Sequence, residues 1–161
     1  HTNTYENIRP ATKKDVQAIQ LLTRQAVEAD ELVKRTRTMI EKSIGDYFIF
    51  EIDGNPVACV ALHVYPDQRK GEIASLYVSA PHENQGIGLR LIQFAEDRAT
   101  DIGLTQLIAL STQAFTYFQS KAGFMEGKPA DLPPERREKY DRSGRNSKVL
   151  VKPLSIQPVA A

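Results

Sequence analysis

Val78-Ser79-Ala80-Pro81-His82-Glu83-Asn84-Gln85-Gly86-Ile87-Gly88-Leu89 joins a β-rich run to an amphipathic helical one, and its reading decides the fold. Upstream, Glu72 to Val78 reads as a strand. Downstream, Leu89 to Ile102 carries Leu91, Ile92, Ala95 and Ala99 on one helical face, with Gly103 as its stop. The first N–H groups of such a helix have no intrahelical acceptor and sit at the positive end of its dipole. Glycine removes the Cβ atoms that would keep a phosphate oxygen from the backbone. Strand, Gly-x-Gly and helix therefore form an anion cradle. The alternative is a tight strand-to-helix turn in which the glycines serve geometry only, and the loop by itself does not choose. A Walker loop is excluded, because no Gly-Lys-Ser/Thr follows. A Rossmann loop is disfavoured, because strands in hairpin order precede it and no third glycine follows at the required spacing.

Working outward, Ile8 to Thr12 reads as the end of a short strand entering a helix, with Thr12 and Asp15 as a variant capping box. Val16, Ile19, Leu22, Ala26 and Val27 recur at helical spacing, and a shorter helix follows Thr36 with Met39, Ile40 and Ile44 facing inward. Tyr47 to Ile52 and Val57 to Tyr65 flank Asp53-Gly54-Asn55 as a hairpin, and Glu72 to Val78 adds a third strand after the polar turn Asp67 to Lys70. Beyond the long helix come a short buried strand, Leu107 to Leu110, and a helix, Phe115 to Ala122, stopped by Gly123. Phe124 resumes extended structure. A proline-led helix, Pro133 to Tyr140, and a last strand, Lys148 to Val151, complete the pattern. The order is β-α-α-β-β-β-α-β-α-β-α-β, an α/β mixture read as one domain over residues 1–154 with a disordered tail over 155–161.

The 161 residues fit one domain of ordinary size, with 41% hydrophobic and 25% charged residues. A net charge of +1 argues against a general nucleic-acid or membrane-surface binder. The single cysteine, Cys59, excludes an internal disulfide framework and a Cys-rich zinc site. It lies in an apolar run, Val57 to Ala61, where a small buried hydrophobe is the expected reading. His63 and His82 have no partner spacing for metal or triad work, so no metal is expected. Without a long apolar run or a signal peptide, the expected setting is the cytoplasm. The chain starts at His1 instead of Met, so it is expected to be a piece of something longer.

Three stretches together resemble the GNAT acetyltransferase superfamily: Ile8-Arg9-Pro10-Ala11-Thr12, Gln85-Gly86-Ile87-Gly88 and Ala122-Gly123-Phe124. The resemblance spans Ile8 to about Leu154. It implies a GNAT fold, a mixed central sheet flanked by helices, with acetyl-CoA as co-substrate. Leu76, Tyr77 and Val78 would then offer backbone groups to pantetheine, and Gln85, Gly86, Ile87, Gly88 and Leu89 amides to the diphosphate. Glu83 departs from the family, which usually carries Arg or Gln there.

The C-terminal stretch Pro133 to Lys152 holds seven Lys or Arg against three acids, and such a local cluster in a neutral domain suits a small anion better than a polyanion. On the residues alone, Arg136, Arg137 and Lys139 read as a solvated basic face. The pattern Leu-Pro-Pro-Glu-Arg-Arg, Tyr140, Arg145-Asn146-Ser147-Lys148-Val149-Leu150 is narrower. Together with Leu32 to Arg37 and Ser111-Thr112, it resembles the acetyltransferase domain of the N-acetylglutamate synthase family, which opens arginine biosynthesis. That resemblance implies L-glutamate as acceptor, one carboxylate held by Arg145 and Ser147 and the other by Lys34 or Arg35. Guanidinium groups suit a dicarboxylate because they bond carboxylates in two parallel hydrogen bonds. It also implies a preceding kinase-like domain, which lies outside this sequence; homo-oligomerisation and fusion to a regulatory domain stay open.

Acetyl transfer to an amine needs a proton acceptor, an oxyanion donor and a proton for the thiolate. The resemblance points to Glu72, otherwise readable as the start of an exposed strand, as the base; the backbone N–H near Leu76 is the oxyanion donor. For the acid the synthase resemblance selects Ser111 and the wider superfamily Tyr117, with Ser111 preferred. Tyr140 reads equally as a packing residue. Two other readings stand beside this one: transfer to a different amino acid, small amine or protein, and a non-catalytic module that senses acyl-CoA or an amino acid.

Overall fold

Thr12 opens the first helical segment as its spacing to Asp15 predicts. The Asp15 carboxylate accepts from the Thr12 backbone N–H at 2.7 Å and from its hydroxyl at 3.3 Å. This closes a 3-10 turn, Lys13–Asp15, that runs into α1 (Val16–Glu28). Just before it, β1 (Ile8–Pro10) supplies Arg9, whose guanidinium reaches both Asp15 oxygens at 2.9 Å and Glu51 at 3.0 Å. Hydrogen bonding to Arg9 holds the Asp15 carboxyl down at about 2. The computed structural model describes residues 6–28, 36–111, 114–144 and 147–154.

Next come α2 (Arg37–Lys42), capped by the Thr36 hydroxyl on the Met39 N–H at 3.1 Å, then β2 (Tyr47–Ile52) and β3 (Asn55–Tyr65). Asp53 and Gly54 join the two strands with φ of 52° and 78°, the positive pair that a two-residue hairpin turn demands. β4 (Lys70–Val78) begins two residues earlier than the sequence predicts. After it stand α3 (Ile87–Asp101), β5 (Gln106–Ser111), α4 (Phe115–Ala122), β6 (Met125–Glu126), α5 (Pro134–Ser143) and β7 (Lys148–Pro153). The element order is the one read from the sequence. The strands form a seven-stranded mixed sheet in the order β1-β2-β3-β4-β5-β7-β6, the α/β mixture that the sequence predicts.

The described residues fall into two compact units, those within His1–Leu62 and Ala74–Phe94, and those within His63–Ile73 and Ala95–Ala161. In the first, β2 is antiparallel to β1 (Ile8↔Phe50) and to β3 (Tyr47↔Ala61, Ile52↔Asn55). Both faces of β2 are covered, which explains its unbroken apolar run in place of alternation. Tyr47 and Ile49 lie with Cys59, Ala61, Val16, Ile19 and Ile40 in one core cluster. Phe48 meets Phe94 of α3 edge to face at 4.8 Å, and Arg90 stands 5.1 Å above the Phe50 ring. Met39, expected inward, is 46% exposed while Ile40 is buried. Neighbours on a helix diverge by about 100°, so this six-residue helix buries one of the pair.

In the second unit, β5 is parallel to the start of β4, from Lys70↔Gln106 to Ile73↔Ala109. β7 is antiparallel to β5 (Gln106↔Pro153 to Ser111↔Lys148) and to β6 (Met125↔Val151). Phe118 of α4 packs edge to face on Phe124 at 5.2 Å, and Tyr140 of α5 packs on Ile108, Leu132, Val149 and Val151.

Candidate functional site

The loop between β4 and α3 belongs to the first unit. The first backbone bond of α3 runs from the Arg90 N–H to the Gly86 carbonyl at 3.1 Å. The amides of Ile87, Gly88 and Leu89 precede it and meet no acceptor among the described residues. Gly86 has φ +80, and a Cβ there would meet nothing within 4 Å. Gly86 is itself exposed, so nothing among the described residues covers the turn just ahead of these amides. The helix starts at Ile87, two residues before the Leu89 predicted, because Gly88 is accommodated in its first turn. Gln85 and Glu83 are exposed. Ser79 Oγ lies 2.8 Å from His82 Nδ1 within the loop. Leu76, Tyr77 and Val78, the expected pantetheine contacts, are half-buried at the end of β4.

The second unit gathers the acid–base candidates. Glu72, third in β4, is 3% exposed. Its Oε1 accepts from the Tyr65 hydroxyl at 3.1 Å and from Arg136 Nε at 2.9 Å. Oε2 has no donor among the described residues. Burial, and then the Glu72 charge, push the Tyr65 hydroxyl well above the ordinary tyrosine range, so Tyr65 keeps its proton and stays a donor. Ser111 ends β5, buried, and its Oγ accepts from the Ala114 N–H at 2.7 Å, which leaves the hydroxyl proton to be given elsewhere. Tyr117 on α4 is 37% exposed, its hydroxyl raised by burial. Ser147 is half-buried, and its carbonyl is tied by the Tyr140 hydroxyl at 2.8 Å. Tyr140 thus both packs and tethers.

The reading of Arg136 as solvated is corrected by its ion pair with Glu72. Charges stand at nearly every position of α5, so no apolar stripe marks its inward face. Tyr140, one turn on, packs inward and so puts Arg136 on the same face, which only the packing reveals. Arg137 and Arg142 do pair with Asp141 and Glu138 on the exposed side, at 3.8 and 3.5 Å. Lys34, Arg35, Thr112 and Arg145 lie outside the described residues.

Cys59 is fully buried, its thiol pushed up to about 12 by desolvation, and it is no nucleophile. Among the described residues no group of three or more His, Cys, Asp or Glu is placed to hold a metal ion, and no helix is long and apolar enough to cross a membrane.

The model of the acetyltransferase (GNAT) family matches residues 14–124. The amino-acid acetyltransferase of Neisseria meningitidis serogroup B is 37% identical over 150 residues, 93% of this chain and 34% of the relative. That of Ralstonia nicotianae is 39% identical over 155 residues, 96% of this chain and 34% of the relative. The crystal structure of N-acetylglutamate synthase from Neisseria gonorrhoeae complexed with coenzyme A and N-acetyl-glutamate superposes with a TM-score of 0.88 at 38% identity, covering 92% of this chain and 35% of that one. The chain spans about a third of the length of the curated relatives it matches.

Proposed function

Because the chain belongs to the acetyltransferase (GNAT) family, we propose that it transfers the acetyl group of acetyl-CoA to the α-amine of L-glutamate, the N-acetylglutamate synthase reaction of arginine biosynthesis. The observation that carries this reading is the 38% identity, across 92% of the chain, with a synthase crystallised with coenzyme A and N-acetyl-glutamate. On this reading residues 1–154 act as one GNAT domain in the cytoplasm, on small molecules and with no nucleic-acid or membrane partner.

The diphosphate of acetyl-CoA is held by the amides of Gln85 to Leu89, and the backbone of Leu76, Tyr77 and Val78 lines the pantetheine arm. Glu72 takes the ammonium proton on Oε2, since Oε1 is occupied by Tyr65 and Arg136. The neutral amine attacks the thioester carbonyl carbon, and the Leu76 N–H meets the oxyanion that forms. As the C–S bond breaks, Ser111 gives its proton to the thiolate and is reprotonated by the second proton of the attacking nitrogen, which leaves a neutral amide and a thiol; Tyr117 is the other candidate donor. Lys34 or Arg35 holds one glutamate carboxylate, Arg145 and Ser147 the other.

A thiol-release assay with acetyl-CoA and a panel of amino acids and small amines tests this. Turnover is expected with L-glutamate above the others. Turnover with another amine and none with glutamate would replace the acceptor, and binding of acetyl-CoA without any turnover would replace the enzyme by a sensing module.

A further inference from the structure

Ser75 stands in the middle of β4 with φ +52, a left-handed conformation that side chains with a Cβ adopt reluctantly. Its neighbours show what it does to the strand. Ala74 and Tyr77 both pack against the core made by Tyr47, Ile49, Cys59 and Ala61. In an unbroken strand, residues three apart face opposite sides of the sheet. The pleat therefore slips by one residue between Ala74 and Tyr77, and Ser75 takes up the slip as a bulge.

Two side chains from the same core meet Ser75. The Tyr47 hydroxyl lies 3.3 Å from Ser75 Oγ, and the Cys59 thiol donates to the Ser75 carbonyl oxygen at 3.4 Å. Tyr47 is 1% exposed and Cys59 is 0% exposed. The Ser75 carbonyl and the Leu76 N–H belong to one planar trans peptide and point in opposite directions. Fixing the carbonyl toward Cys59 fixes the direction in which the Leu76 N–H points.

We propose that Tyr47 and Cys59 clamp Ser75 in its left-handed conformation and so aim the Leu76 N–H at the thioester carbonyl oxygen. Both are positioning residues that act through Ser75, and the inference rests on the acetyl-transfer reading above. Neither touches a substrate. The bulge uses a serine where a glycine would take the conformation freely. The clamp supplies what the residue type does not.

The test uses Tyr47→Phe, Cys59→Ala, Ser75→Gly and the pair Tyr47→Phe/Ser75→Gly. Tyr47→Phe and Cys59→Ala are each expected to lower kcat about tenfold with the acetyl-CoA KM unchanged. Adding Ser75→Gly to Tyr47→Phe is expected to restore most of kcat, because glycine takes the left-handed conformation without the Cβ penalty that the clamp offsets. Loss of Tyr47 as mere packing would not be repaired at Ser75, so failure of that rescue overturns the proposal. So does a loss carried by KM alone. The Leu76 amide resonance, read by NMR in the same variants, needs no turnover. If the unaltered protein transfers no acetyl group, the functional reading fails, yet a Leu76 resonance that moves in both single variants still supports the clamp, and one that stays put refutes it.

Discussion

Glu72 meets two donors on one oxygen and none on the other, and that asymmetry assigns its function to Oε2. Glu72→Gln is expected to lower kcat by about 10² or more while the acetyl-CoA KM holds, with the loss deepest at low pH, where more of the amine is protonated. An unchanged pH–rate profile would remove Glu72 from the mechanism. Arg136→Met strands a buried carboxylate without its cation and is expected to cost about 3 kcal/mol of stability, read as a fall in urea midpoint. The double variant Glu72→Gln/Arg136→Met is expected to regain much of that stability and none of the activity. Equal stability of Arg136→Met and the unaltered protein would mean that the pair is not held in solution. Glu72 was legible in the sequence only through family resemblance, since a glutamate near a strand start is ordinarily solvated. Arg136 was not legible, because only tertiary packing selects one guanidinium of the several on α5.

At the scale of elements, the turn and stop signals were the most readable. Gly123 ends α4 in the left-handed conformation where expected, and Asp53-Gly54 makes the hairpin. Boundaries slipped where the controlling residue carried no local mark. α3 starts two residues before Leu89, and Ser75 bends β4 although nothing in its type announces a positive φ. The α3 start also carries a prediction. Gly86→Ala forces a Cβ onto φ +80, expected to cost about 1–2 kcal/mol, and so disturbs the turn that presents the Ile87 to Leu89 amides. Calorimetric titration is expected to show weaker coenzyme A binding, by about tenfold, and an unchanged affinity would mean that the amides do not hold the diphosphate.

Across the whole molecule the net charge is only +1, so local pairs rather than net repulsion set the response to pH. Asp15 is the clearest case. Its carboxyl is lowered by Arg9 from 3.8 to about 2, so it binds fewer protons folded than unfolded between those values. Its contribution is present above about pH 4 and is lost as pH falls toward 2. Urea unfolding is expected to show about 1–2 kcal/mol lost across that window after allowance for solvent screening, and a shallower slope in Asp15→Asn. The order of the strands and helices was legible from alternating periods and glycine stops. The acceptor's cationic partners were legible only by resemblance, because charge along a chain does not say which groups converge. Crystals soaked with coenzyme A and N-acetyl-glutamate test the central claim most directly. Density is expected for the diphosphate on the Ile87, Gly88 and Leu89 amides, and for the acetylated nitrogen beside Glu72 Oε2. A bare loop at Gly86 with the coenzyme bound elsewhere would contradict it.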